Sequence, residues 1–178
     1  LVKPDFDMCS LCIVKDVCFV RRIIMITPEF DVLLEWLSHS SKVSELLTQI
    51  SKDLDQRGCV HDRSKLQAIE FEAFVKTRPK FKKANYGSKE YKECCEQIKL
   101  ALEHHYKHNR HHPEFHEDGF EGMNLLDILE MLADWKAANE RNPDLPFKES
   151  LTISFKKYNI PENMQKHIKA TAEYLGWI

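Results

Sequence analysis

Apolar residues in this chain recur every three to four positions, which is the period of a helix buried along one side. Phe30, Leu33, Leu34 and Leu37 follow Thr27-Pro28-Glu29, a cap residue with proline at the first helical position. Val43, Leu46, Leu47, Ile50 and Leu54 continue or restart the stripe over 40–56, and Gly58 supplies a stop. The pattern predicts a shorter helix over 62–76, with Leu66, Ile69 and Ala73 in phase, then a loop over 76–87 marked by Pro79 and Gly87. Ser88 caps a long helix over 89–107 whose inner face is Tyr91, Cys94, Ile98, Ala101 and His105. A histidine-rich loop over 108–121 precedes a strongly apolar helix over 123–139. Pro146 and Pro161 open two last helices, and Gly176 ends the chain's final one. No strand alternation, internal repeat or low-complexity tract stands out, and 5 Gly and 7 Pro are too few for a turn-dense β fold. The expected class is all-α, a compact bundle of six or seven helices.

Charge narrows the function classes. Lys and Arg total 26 against 28 Asp and Glu, a formal −2, so duplex nucleic acid is not an expected partner. No apolar run approaches the ~20 residues needed to cross a bilayer, so no membrane partner is expected either. The six cysteines, Cys9, Cys12, Cys18, Cys59, Cys94 and Cys95, are irregularly spaced, which fits a reducing, cytoplasmic compartment better than a disulfide framework. Lys15 and Asp16 interrupt the one candidate signal segment. Residues 1–24 read as an N-terminal extension and 25–178 as a single helical domain. Cys9-Ser10-Leu11-Cys12 has metal spacing but lacks a second pair. Trp36, Trp135 and Trp177 read as packing residues.

Three clusters carry chemistry. In His61-Asp62-Arg63-Ser64-Lys65, a nitrogen ligand adjoins a carboxylate able to bridge two cations. Upstream, His39 shares a face with Val43, Leu46, Leu47 and Ile50. It therefore reads as inward, one helix and a turn before His61, the antiparallel step that would bring the two together. Next, Glu103 to Glu114 holds His104, His105, His108, His111 and His112. His105 lies in phase with the core, and His104 points to another face. Lastly, Asp127, Glu130 and Asp134 share one face of an apolar helix and need partners, which a metal with its histidines would supply. The bland alternatives are a satisfied core histidine, an exposed histidine loop and a solvated acidic face. A fourth feature is cationic: Lys76, Arg78, Lys80, Lys82 and Lys83 have no acid among them and could fold over phosphates, or simply form a solvated loop.

Taken together, the order His, His-Asp, histidine cluster, Asp resembles the HD-domain superfamily of metal-dependent phosphohydrolases. The closest resemblance is to an uncharacterised family of bacterial and phage proteins with H-D-x-S-K, E-H-H-x-x-x-N-x-H-H-P-E and E-M-x-x-D-W, which stand here at 61–65, 103–114 and 130–135. The match covers about residues 37–136. His111-His112-Pro113-Glu114 and Asp118-Gly119 are also similar to stretches of the cyclic-dinucleotide phosphodiesterase branch, but Phe120 and Glu121 replace its G-Y-P signature.

The resemblance implies an HD-like bundle, with His39, His61, Asp62 and Asp134 at one metal. His105 and either His111 or His112 would complete a second, with His104 the alternative to His105. It further implies Lys65 at a substrate or phosphate oxygen, and Asp127 and Glu130 orienting ligand histidines. Lys80, Lys82 and Lys83 would contact substrate phosphate. One or two divalent ions (Mn, Fe, Co, Mg or Zn) would activate a water toward a nucleotide or other small phosphate ester. Two other readings remain open: an HD-type di-iron oxygenase, and a non-catalytic metal-binding regulator in a phage or its bacterial host.

Overall fold

The computed structural model describes residues 28–81, 84, 88–141 and 144–178. Among these it is all-α. The seven helices are α1 (Pro28–Val60), α2 (Ala68–Phe81), α3 (Lys89–Gln97), α4 (Lys99–His108), α5 (Leu125–Glu140), α6 (Phe147–Lys157) and α7 (Glu162–Tyr174), with 3-10 turns at Arg63–Leu66, Pro113–Phe115 and Gly119–Gly122. No described helix is long and apolar enough to cross a membrane. The chain divides into two compact units, 1–53 and 54–178. The boundary expected at 24/25 and the Cys9-x-x-Cys12 pair lie outside the described residues.

The described part of the first unit is the leading stretch of α1. Pro28 opens it, and Glu29 and Asp31 favour the positive end of the helix dipole. No residue of α1 is buried, and Trp36 is 66% exposed. This corrects two expectations. The helix does not stop at Gly58, whose surroundings are empty; it runs on to Val60. A glycine inside a helix costs only about 1 kcal/mol, which flanking residues can offset. The turn that would fold His39 back toward His61 is therefore absent, and His39 is exposed rather than inward.

In the second unit, local chemistry sets the breaks. The chain leaves α1 through Asp62, which has left-handed backbone (φ 55°), a conformation that aspartate tolerates better than most residues. Ser88 Oγ accepts from Tyr91 N at 3.1 Å and starts α3, as its sequence position suggests. The long helix expected over 89–107 is two, with Ile98 (φ −111°) between them. α2 reaches Phe81, so Lys76, Arg78 and Lys80 stand on a helix and not on a loop. At α5, Asn124 accepts from the amides of Leu126 and Asp127, and Asp127 reaches back to Asn124 N at 3.1 Å, a reciprocal cap.

Two kinds of interior result. Met131, Leu132, Leu151, Phe155, Ile168 and Ala172 centre an apolar core between α5, α6 and α7, with Trp135 and Trp177 packed against it. The α2 and α4 side is different: its buried groups include Ser64, Glu70, Thr77, His105, Asn109 and His111. α2 turns Glu70 and Thr77 inward and leaves Ile69, Phe71 and Val75 exposed.

Candidate metal centre

The polar interior is organised around Asp62. Its Oδ1 lies 3.2 Å from His105 Nε2 and 3.6 Å from His111 Nε2, and its Oδ2 lies 3.4 Å from His61 Nε2. The two carboxylate oxygens thus face two neighbouring sets of histidines. Asp62, His105, His111 and His112 offer ligand atoms within 4.8 Å of one another; so do His61, His111 and Asp134, with His111 common to both sets. His105 Nε2 and His112 Nε2 stand 2.9 Å apart, and His61 Nε2 is 3.5 Å from Asp134 Oδ1.

Carboxylates behind the histidines fix which nitrogen faces the cluster. Glu130 Oε1 takes His61 Nδ1 at 3.0 Å and His111 Nδ1 at 3.1 Å. Glu70, fully buried, takes His105 Nδ1 at 2.9 Å and His104 Nδ1 at 2.6 Å. A carboxylate on Nδ1 holds the proton there and turns the Nε2 lone pair outward, the arrangement that orients metal-binding imidazoles. Ser64 Oγ (3.2 Å) and Asn109 Nδ2 (3.1 Å) also crowd His105 Nδ1, and Asn109 ties Ser64 Oγ to the His105 carbonyl.

Against this order, two buried atoms have no hydrogen-bond partner among the described residues: Asp62 Oδ1 and His111 Nε2. Buried polar atoms are rarely left so, because each forfeits its hydration without replacement. Both atoms point into the cluster, and both are good donors to a borderline cation. The residues fit a metal ion.

Electrostatics agree. Hydrogen bonds to Asp134, then Asp62 and Glu130, hold the His61 pKa up at about 11 against the drag of burial. Burial pushes Asp62 up, but the closeness of His105, His61 and Lys65 outweighs it and holds the carboxyl far below its usual range. Glu130 is likewise depressed: burial opposes, and His111 and His61 prevail. Asp134 follows the same balance, with His61 the chief lowering partner. His112 is lowered to about 3, first by burial and then by the neighbouring His111 and His105. Three anionic carboxylates facing crowded imidazoles form a strongly cation-seeking pocket.

The expected site residues separate clearly. His61, Asp62, His105, His111, His112 and Asp134 come together, and Glu130 orients two of the histidines. His39 is not among them. His104 is held on Glu70 and stacked on His108 (centroids 4.0 Å), outside both ligand sets. Asp127 does not orient a ligand histidine. It is buried and takes Arg57 Nη1 at 2.8 Å and Arg110 Nη2 at 3.0 Å, because both guanidiniums reach it while the histidines face the next turn of α5. Those two arginines hold its carboxyl below the usual range although burial pushes it up. Arg57 also touches Glu130 Oε2 at 3.2 Å, so Asp127 acts on the cluster at one remove.

Among the expected substrate contacts, Lys65 is paired to Asp62 Oδ2. Lys80 donates to Gln97 Oε1 at 2.8 Å. Lys82 and Lys83 lie outside the described residues. Glu70, Ser64, Asn109 and the two arginines are the residues that sequence reasoning missed. Ser64 and Asn109 are specified positions of the motifs at 61–65 and 103–114, Arg110 falls at an unspecified one of the second, and nothing in the periodicity marks Glu70 as buried.

A protein-family model described as "Family of unknown function (DUF5662)" matches residues 29–176. No curated protein and no solved structure matches the chain.

Proposed function

The chain belongs to DUF5662, a family of unknown function, and we propose from its own residues that it is a metal-dependent phosphohydrolase acting on a nucleotide or other small phosphate ester. The observation that carries the reading is the pair of unpartnered buried atoms, Asp62 Oδ1 and His111 Nε2, inside a ring of histidines oriented from behind by Glu130 and Glu70. The resemblance of the His-Asp order to HD-type phosphohydrolases points the same way.

His61, His111 and Asp134 would hold one cation; His105 and His112 would hold its neighbour, with Asp62 placed between. A bound divalent ion supplies an acidified water and draws off charge from a phosphoryl oxygen. The chain's own contribution is positional. Glu130 and Glu70 keep the imidazole lone pairs aimed, and Lys65 balances Asp62. Burial of His111 and His105 keeps bulk water from competing.

A second reading, a di-iron oxygenase, has a specific observation in its favour. The two oxygens of Asp62 face the two ligand sets, and mixed imidazole and carboxylate donors suit iron. A structural or regulatory metal site is the third.

One experiment separates them: elemental analysis of untagged protein beside the His61→Ala/Asp62→Ala variant, followed by a phosphoester panel. Mn, Co, Mg or Zn present in the wild type and lost in the variant, with phosphate release, supports hydrolysis. Two irons and O₂ uptake favour the oxygenase. Bound metal that raises the Tm without turnover leaves the site structural. No metal after reconstitution ends all three readings.

A further inference from the structure

An open groove of about 470 Å³ runs from the metal cluster along α5. Its inner end is polar: His61, Glu130 and Asp134. Beyond them the walls are Leu54, Leu129, Ala133, Ala137 and Trp177, and Gly58 adds no side chain. Arg57, also on the lining, is engaged by Asp127 and Glu130. The outer part therefore offers mainly aliphatic and indole surface, with the single indole N–H of Trp177 among its described side chains as a polar group, too little to read a sugar's hydroxyls or a base edge. A volume of this size accommodates a small ligand.

We propose that this groove binds an apolar, aryl-type group attached to the oxyanion that the metal cluster takes, so that the substrate is an aryl or similarly apolar monoester and not a sugar phosphate. The proposal rests on the metal reading above for its polar end alone. The occupant follows from the two ends of the groove: a cation-holding wall selects an anionic oxygen, and a wall of Leu, Ala and Trp stabilises only what leaves water willingly. An indole beside the small side chains of Ala133 and Ala137 favours a flat ring over a branched chain.

The test compares 1-naphthylmethylphosphonate with methylphosphonate, neither of which is hydrolysed, by titration calorimetry on the Mn²⁺-loaded full chain. Burial of the ring is expected to tighten binding by about ten- to a hundred-fold. Ala137→Phe fills the groove from an exposed helical position. It is expected to abolish the difference while leaving metal content unchanged. Equal affinities in the wild type, or a difference that survives Ala137→Phe, overturn the proposal.

A second titration, of neutral 2-naphthol into metal-free protein, reads the groove alone. Binding that Ala137→Phe removes supports the groove even where no metal is taken up, and failure of naphthol to bind overturns it even where metal analysis succeeds. The groove and the metal reading therefore fail separately.

Discussion

Glu130 and Glu70 are the residues on which the cluster's order depends, and each can be tested by removing a charge without removing volume. Glu130→Gln keeps one acceptor oxygen but has to serve His61 and His111 with a neutral amide. Loss of such a partner weakens metal affinity about 10–100-fold. The same is expected of Glu70→Gln, acting through His105, with circular dichroism unchanged. Competition with a chromophoric chelator measures both; undiminished affinity in both variants would remove the orienting role. pH gives a second handle on single residues, in metal-free protein. His61 has a folded pKa of about 11 against an ordinary 6.5, so its contribution is complete below 6.5 and is lost as pH climbs toward 11. His112, lowered to about 3, behaves oppositely: below 6.5 the unfolded chain takes up a proton that the folded protein refuses, and stability falls toward pH 3. The depressed carboxyls of Asp62, Glu130 and Asp134 deepen the acid loss, chiefly below their ordinary values of about 4. Denaturant titrations should therefore find a stability maximum near pH 6.5, and a steady rise from pH 6 to 10 would contradict it. Metal has to displace the His61 proton, so affinity should weaken as pH falls.

Among the elements, α5 ties the apolar core to the polar cluster. Met131 and Leu132 face the one, Glu130 and Asp134 the other, and Asp127 fastens the helix start. Asp127→Ala removes the return half of the cap, leaves Arg57 with Glu130 in place of two carboxylates, and takes from Arg110 its carboxylate partner. Breaking a buried charge pair costs about 3–5 kcal/mol. A large fall in Tm is expected, while metal stoichiometry at low temperature stays that of the wild type; loss of metal with an unchanged Tm would place Asp127 inside the site. The sequence announces this helix well, because cap, apolar stripe and acidic positions agree. The same logic fails on α2. There the buried positions are Glu70 and Thr77 and the exposed ones are Ile69, Phe71 and Val75, so a reading that turns apolar residues inward selects the wrong face. Glu70 is buried because two histidines wait for it on α4, a tertiary reason that no local period expresses. Ile98 is a similar case: its apolar phase is continuous with both neighbours, and only the backbone reveals the break.

For the whole molecule, the question is which part of the chain builds the metal centre. Every residue of both ligand sets lies between His61 and Asp134, within the second unit. The motifs at 61–65, 103–114 and 130–135 were legible because short-range spacing fixes them. His39 was not, because its role depends on whether the chain turns between 39 and 61. α1 instead runs through that interval as one helix whose apolar residues, among them Leu46, Leu47 and Ile50, remain exposed. A stripe of this kind gains free energy when covered, at roughly 25 cal/mol per Å² of apolar surface removed from water. The continuous helix therefore competes with any arrangement that folds the stripe against protein. His39→Ala distinguishes the two. With α1 continuous, the variant should bind the same number of metal ions as the wild type, at the same affinity and with the same pH dependence, by elemental analysis and chelator competition. A lost equivalent would mean that α1 opens near Gly58 when metal is present, and that His39 then enters the coordination sphere.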